Sequence, residues 1–294
     1  MDLAGLLESR NVVVADGAMG TELARHGLPA GTAPEVWNLD RPEAVEAVGR
    51  AYVEAGAEIL LTNTLGGSRW KLAQAGLEKR AAEVNEQAAR IARRAAGGRA
   101  LVFASVGPTG DFLAPLGTRG EAEFVECFAE QIGGAVAGGV QGVAIETMTA
   151  LEEALAALKA ARQVSDVPVV VSLTFDRGSK GFATMMGVTP ERAVAELEAA
   201  GADIVGSNCG NGTEGMVEVA RLLGTASAKP LWIKPNAGMP ELVDGATVFR
   251  ETPEAMASRV PALVQAGARV IGGCCGTTPE HIRRIAEAVR RAAG

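Results

Sequence analysis

Residues 189–207, TPERAVAELEAAGADIVGS, contain one full period of the pattern that organises the chain. Thr189 offers a hydroxyl cap, Pro190 gives up an N–H that a helix start leaves orphaned anyway, and Glu191 sits near the positive end of the helix dipole. Apolar residues recur at helical spacing to Ala200, Gly201 supplies the left-handed residue that closes a helix, and Asp203–Ser207 follows as a short strand. The same opening recurs at Thr252-Pro253-Glu254 and Thr278-Pro279-Glu280, and the same ending at Ala55-Gly56-Ala57 and Ala266-Gly267-Ala268.

Outward from this unit, short β-rich runs alternate with longer Ala/Glu/Arg-rich helical stretches. Strands are expected at Val12–Ala15, Glu58–Thr62, Ala100–Val106, Gly142–Glu146, Pro168–Leu173, Asp203–Ser207, Pro230–Lys234 and Ala268–Ile271. Helices are expected at Pro42–Ala55, Ala81–Ala96, Glu121–Ala137, Ala150–Val164, Pro190–Ala200, Gly215–Leu223, Pro253–Ala266 and Pro279–Ala293. Most strands are continuous apolar runs, as both-face burial in a parallel sheet requires. Eight strand-then-helix units in 294 residues predict an α/β fold of the (β/α)8 TIM-barrel type. No linker or composition shift divides residues 1–294, so one domain is expected. The rival doubly wound sheet lacks a GxGxxG turn after its first strand.

Composition narrows the function. With 28 Lys+Arg against 35 Asp+Glu the net charge is −7, and the cationic residues are not clustered, which argues against nucleic acid as a partner. An apolar fraction of 48% excludes wholesale disorder. No apolar run is long enough to span a bilayer, and Met1–Ser9 carries Asp2 and Glu8 where a secretory leader has lysines. A soluble, cytoplasmic protein without a membrane partner is expected. Four cysteines are too few for a disulfide framework, and two of them, Cys274 and Cys275, are adjacent, which suits metal or redox chemistry.

In such a barrel the chemistry stands at the carboxyl ends of the strands. The residues there are Asp16-Gly17-Ala18-Met19-Gly20-Thr21, Asn63-Thr64, Gly107-Pro108-Thr109-Gly110, Glu146-Thr147, Thr174, Asn208-Cys209-Gly210, Pro235-Asn236-Ala237-Gly238 and Gly272-Gly273-Cys274-Cys275-Gly276-Thr277. Three of the four cysteines share this rim, whereas Cys127 falls inside a helix as a small buried residue. Cys209 and Cys274 are far apart in sequence, but strands six and eight flank strand seven, so their loops can converge. Glycines around the cysteine pair permit the backbone angles needed to present both sulfurs to one ion. Three thiolates with one open position form a catalytic zinc arrangement. The competing readings are a buried small pair, an adjacent disulfide or redox switch, or a phosphate cradle at Gly272-Gly273, which thiolates would oppose.

The Asp16–Thr21 phrase, Glu146-Thr147, Asn208-Cys209, Pro235-Asn236-Ala237-Gly238 and Gly272–Pro279 together resemble the homocysteine S-methyltransferase family, which includes the homocysteine-binding barrel of cobalamin-dependent methionine synthase. The resemblance implies Zn2+ on Cys209, Cys274 and Cys275, and substrate contacts from Asp16, Gly17, Glu146, Asn208 and Asn236. It places Asn236 at the fourth zinc position before homocysteine arrives. Methyl transfer to homocysteine, giving methionine, is the implied activity. The implied donor is a methylcorrinoid on a separate protein, since no folate, cobalamin or reactivation domain is read after Gly294.

Betaine, S-methylmethionine or S-adenosylmethionine as donor, or another thiol as acceptor, suits the same half-site. The Asp176–Met186 loop is the expected donor-facing segment. Lys234 stands where an acidic residue occurs in some methionine synthase relatives, and it is the one lysine at a strand end that an aldolase or isomerase barrel would use. A redox or structural zinc–thiolate protein is the alternative of a different class. His26, His281, Trp37 and Trp70 are read as structural.

Overall fold

Every β-rich run becomes a strand of one parallel sheet: β1 (Val13–Val14), β2 (Ile59–Leu61), β3 (Leu101–Val106), β4 (Gly142–Met148), β5 (Val169–Leu173), β6 (Ile204–Cys209), β7 (Leu231–Pro235) and β8 (Ala268–Ile271). The computed structural model describes residues 2–179, 181–210, 212–243 and 246–292. The strand order is β1-β8-β7-β6-β5-β4-β3-β2. Ala15 bridges Ile59 in parallel, and the N–H of Asp16 reaches the Ile59 carbonyl at 3.0 Å. The sheet therefore closes on itself, which a doubly wound sheet does not do. This is the expected (β/α)8 barrel. Every residue of β2, β3, β5 and β7 is buried, which accounts for their continuous apolar runs.

The helices Pro42–Ala55, Ala81–Ala96 and Glu121–Ala137 keep their expected bounds, and Leu151–Val164 and Pro190–Ala199 differ from theirs by one residue. The last runs Pro279–Ala292, and Ala293 lies outside the described residues. Thr189, Thr252 and Thr278 each accept the N–H three residues on, at 3.3, 3.2 and 3.4 Å. Gly56, Gly201 and Gly267 have φ of 110°, 94° and 99°, as the Ala-Gly-Ala endings require.

Two helices depart from expectation. Gly212–Ala226 starts earlier than Gly215 because the N–H of Thr213 is capped by the Glu251 carboxylate at 3.1 Å, a partner remote in sequence. Pro253–Ala266 is not one helix: it divides into Pro253–Ser258 and Val260–Gln265, since Pro261 has no N–H for the Ala257 carbonyl.

A helix outside the expected set, Leu3–Ser9, precedes β1. Leu3 and Leu6 pack with Val13, Ile59, Leu101, Val170 and Ile204 from the barrel interior. Arg269, early in β8, donates to the Leu7 carbonyl at 2.7 Å. The amino-terminal end of the barrel is thereby plugged. Short antiparallel hairpins, Asp176–Gly178 with Gly181–Ala183 and Glu241–Val243 with Ala246–Val248, stand in the loops after β5 and β7. Among the described residues no helix is long and apolar enough to cross a membrane.

Candidate active site

Side chains two apart on a strand share a face. Stepping up the inner face of the barrel, Phe103 is followed by Ser105, Ala144 by Glu146, Val170 by Ser172 and Trp232 by Lys234, while Ile204 leads through Gly206 to Asn208. The interior thus changes from apolar to polar at the carboxyl end. A cavity of about 540 Å³ opens there, and its walls include Asp16, Glu146, Lys234, Cys209, Cys274 and Cys275. That size suits a small-molecule site.

Cys209 and Cys274 Sγ are 2.9 Å apart, and the three sulfurs of Cys209, Cys274 and Cys275 lie within 4.8 Å of one another. All three are free thiols. Tetrahedral coordination with Zn–S near 2.3 Å implies S···S separations of about 3.8 Å, within the range of this cluster. Hydrogen bonds from the neighbouring thiols hold the Cys275 thiol down, while the same contacts hold Cys209 well up. Three thiolates this close repel one another, so a cation among them favours their joint ionisation. Gly272 and Gly273 serve by size rather than by angle: a Cβ there would meet the Asp16 carbonyl at 2.7 Å and Thr277 Oγ1 at 2.5 Å. The positive φ of the loop falls at Gly276, 80°.

Asn236 Nδ2 donates to the Gly210 carbonyl at 3.1 Å, while the N–H of Ala237 donates to the Cys275 carbonyl at 3.0 Å. Asn236 thus stands between the two sulfur-bearing loops. Its Oδ1 is buried without a hydrogen-bond partner among the described residues, a costly state that a cation would relieve. Donor set and spacing fit a divalent, thiophilic metal.

The carboxylates differ in their surroundings. Asp16 Oδ1 pairs with Lys234 Nζ at 2.6 Å and its Oδ2 accepts the Leu61 N–H at 2.7 Å. Burial pushes the Asp16 carboxyl up, and Lys234 pulls it back. Glu146 Oε1 accepts from Ser105 Oγ at 2.6 Å. Its burial pushes it up to about 7, with Lys234 and Ser105 opposing the rise. Thr147 and Cys209 both have positive φ, 65° and 62°, in the region that side chains other than glycine seldom enter. Such strain costs about 1–3 kcal/mol per residue and gathers at functional sites.

The profile of the homocysteine S-methyltransferases matches residues 13–289. The chain belongs to that family. The methionine synthase of Mycobacterium leprae is 32% identical over 308 residues, covering 99% of this chain and 25% of that protein. That of Mycobacterium tuberculosis is 31% identical over 306 residues, covering 98% and 25%. The chain therefore spans about a quarter of the length of these relatives. Among solved structures, the metallated form of the homocysteine methyltransferase MmuM from Escherichia coli matches with a TM-score of 0.83 at 25% identity, covering 97% of this chain and 99% of that one.

In this member of the family, Asp16, Gly17, Glu146 and the three cysteines all line the cavity. Asn208 is fully buried and bonded to its neighbours, and Asn236 lies beside the cysteine loops. Ser105 and Ser172 went unnoticed in the sequence because they sit inside apolar strands; the two-residue period from Phe103 and Val170 is the signal that finds them. Cys127 is buried in its helix. His281 bonds Thr278 and the Glu251 carbonyl, at 2.9 and 3.0 Å, and His26 is exposed. Trp37 is buried, and Trp70 packs edge-on against Phe124 at 4.9 Å beneath Arg119.

Proposed function

We propose that this barrel moves a methyl group onto the thiolate of homocysteine, giving methionine, with a zinc ion held by Cys209, Cys274 and Cys275. The observation that carries this reading is the gathering of three sulfurs from two βα units beside a buried carboxylate in one cavity. A free alkyl thiol, with a pKa of about 8.5, is only a few per cent ionised at neutral pH, and zinc when bound supplies the missing activation by removing that proton. Glu146 and the carbonyl of Gly17 take the substrate ammonium, Asp16 anchors the loop after β1, and Asn208 braces the β4 and β6 ends. Asn236 Oδ1 would offer a fourth donor to a bound ion. The sulfur then attacks the methyl carbon as the donor departs with the bonding electron pair.

We assign the donor role to a methylcorrinoid on a separate protein. Two facts favour a donor carried by a macromolecule. Exposed apolar side chains at Leu65, Phe112, Leu116, Met185, Met239 and Leu242 all stand on loops at the carboxyl end of the barrel, where such exposure marks interaction surfaces. The relatives named above are methionine synthases four times as long as this chain. The Asp176–Met186 loop is part of that rim. A reducing, cytoplasmic setting suits thiols held this close.

The deciding experiment is a methyl-transfer assay with homocysteine, using methylcobalamin protein, betaine and S-methylmethionine in turn, on zinc-loaded protein and on Cys209→Ala. Transfer undiminished in the variant sinks the zinc assignment, and transfer from betaine alone sinks the corrinoid assignment.

A further inference from the structure

A lysine with 2% of its surface exposed is expensive to keep among carboxylates and thiols unless its charge has a use. Lys234 Nζ lies 2.6 Å from Asp16 Oδ1, and both side chains are shut away from solvent. The other oxygen of Asp16 is fixed by the Leu61 N–H at 2.7 Å. Asp16 follows β1 and Lys234 belongs to β7, with β8 running between those two strands. The ion pair therefore spans β8 on the inner side of the barrel.

The Cys274–Cys275 loop leaves β8 and hangs from the same two supports. The N–H of Gly273 donates to the Asp16 carbonyl at 2.9 Å, and that of Cys274 donates to the carbonyl of Pro235, the residue after Lys234, at 2.8 Å. The third sulfur refers to the same place, because the β6–β7 register sets Asn208 opposite Lys234 and Cys209 opposite Pro235. All three sulfurs are thus located relative to two backbone points that one buried ion pair joins.

We propose that Lys234 is a positioning residue whose salt bridge to Asp16 acts as a crossbar, fixing the Cys274–Cys275 loop against Cys209 and so setting the geometry of the three-sulfur site. An apolar side chain of similar length fills the same space without the tie, so the charge is what the proposal needs. The crossbar bears on metal binding only if the zinc reading above holds, and the test keeps the two apart.

Hydrogen exchange of the 272–276 backbone is compared in metal-free wild-type protein and Lys234→Met. The expected result is exchange about tenfold or more faster in that loop, with the helices Ala81–Ala96 and Glu121–Ala137 unchanged. Unchanged loop exchange in the folded variant overturns the crossbar. Cobalt(II) titration supplies a second readout: Lys234→Met weakens binding about 10- to 100-fold and alters the thiolate-to-cobalt charge-transfer bands. Wild-type affinity and spectrum in the variant overturn the proposal as well. If the wild-type protein itself binds no cobalt, the metal reading fails and the exchange result alone decides the crossbar. Should Lys234→Met not fold, Lys234→Met/Asp16→Asn removes the stranded acid and faces the same two measurements, with the same results counting for and against.

Discussion

Asn208 grips Thr147 at both ends: its Oδ1 accepts the Thr147 N–H at 2.8 Å and its Nδ2 donates to Thr147 Oγ1 at 2.7 Å. Ser172 Oγ also donates to Asn208 Oδ1, at 2.7 Å. Thr147 is β-branched with φ of 65°, an unfavourable conformation that the two bonds from the amide help to hold. That residue directly follows Glu146, and the grip therefore sets where the carboxylate stands.

Asn208→Ala is expected to lower stability by about 1–3 kcal/mol, because the buried Ser172 hydroxyl and two half-buried groups of Thr147 lose a partner. The homocysteine KM should rise as Glu146 drifts. Urea unfolding and steady-state kinetics check both, and an unchanged KM would contradict the positioning role.

Glu146 should set a pH limb. Burial raises its carboxyl to about 7, so the ligand-free site is increasingly neutral below that pH and loses its hold on an ammonium. Homocysteine affinity is expected to fall toward tenfold per pH unit below 7, and Glu146→Gln should flatten the profile. The stability consequence has the opposite sign. With a folded value of about 7 against 4.5, the native protein binds this proton more tightly than the unfolded chain. The associated stability, about 3 kcal/mol, is complete below pH 4.5 and is lost as pH rises through 7. Denaturation of wild type and Glu146→Gln from pH 4 to 8 measures it; parallel curves would rule this linkage out.

Zinc should raise the melting temperature of the wild-type protein, by the equivalent of about 2.7 kcal/mol at a free concentration one hundredfold above Kd. Cys274→Ser should show little of this shift, and a chelator should abolish it in the wild type. Equal shifts in both proteins would place the metal elsewhere.

Leu6→Ala removes part of the plug beneath the barrel, where Leu6 has 2% of its surface exposed. A loss of about 2–5 kcal/mol is expected. Methyl-transfer kinetics at a temperature where the variant stays folded should match wild type, since the cavity lies at the opposite end. A changed KM would show that the two ends communicate.

Much of this was legible in the sequence. The Thr-Pro-Glu and Ala-Gly-Ala phrases mark local events, a hydroxyl on an N–H three residues away and a left-handed helix end, so the units between them could be counted. The cysteines were legible because a closed barrel brings the ends of β6 and β8 to one rim. What escaped reading depends on partners remote in sequence. The start of Gly212–Ala226 is set by Glu251, the plug by Arg269, and the buried state of Lys234 by Asp16. The hairpins after β5 and β7 have strands of three residues, too short for their alternation to register.

The stopper formed by Leu3–Ser9 shuts the amino-terminal mouth of the cylinder, and among the described residues the chamber is walled by the loops at the carboxyl ends of the strands. On the proposed reaction, two reactants that enter from that same rim must queue: the amino acid settles against the sulfurs first, the methyl carrier arrives over it, and the thioether departs only once that carrier has withdrawn. Compulsory-order kinetics follow, and a random pattern of product inhibition would contradict them.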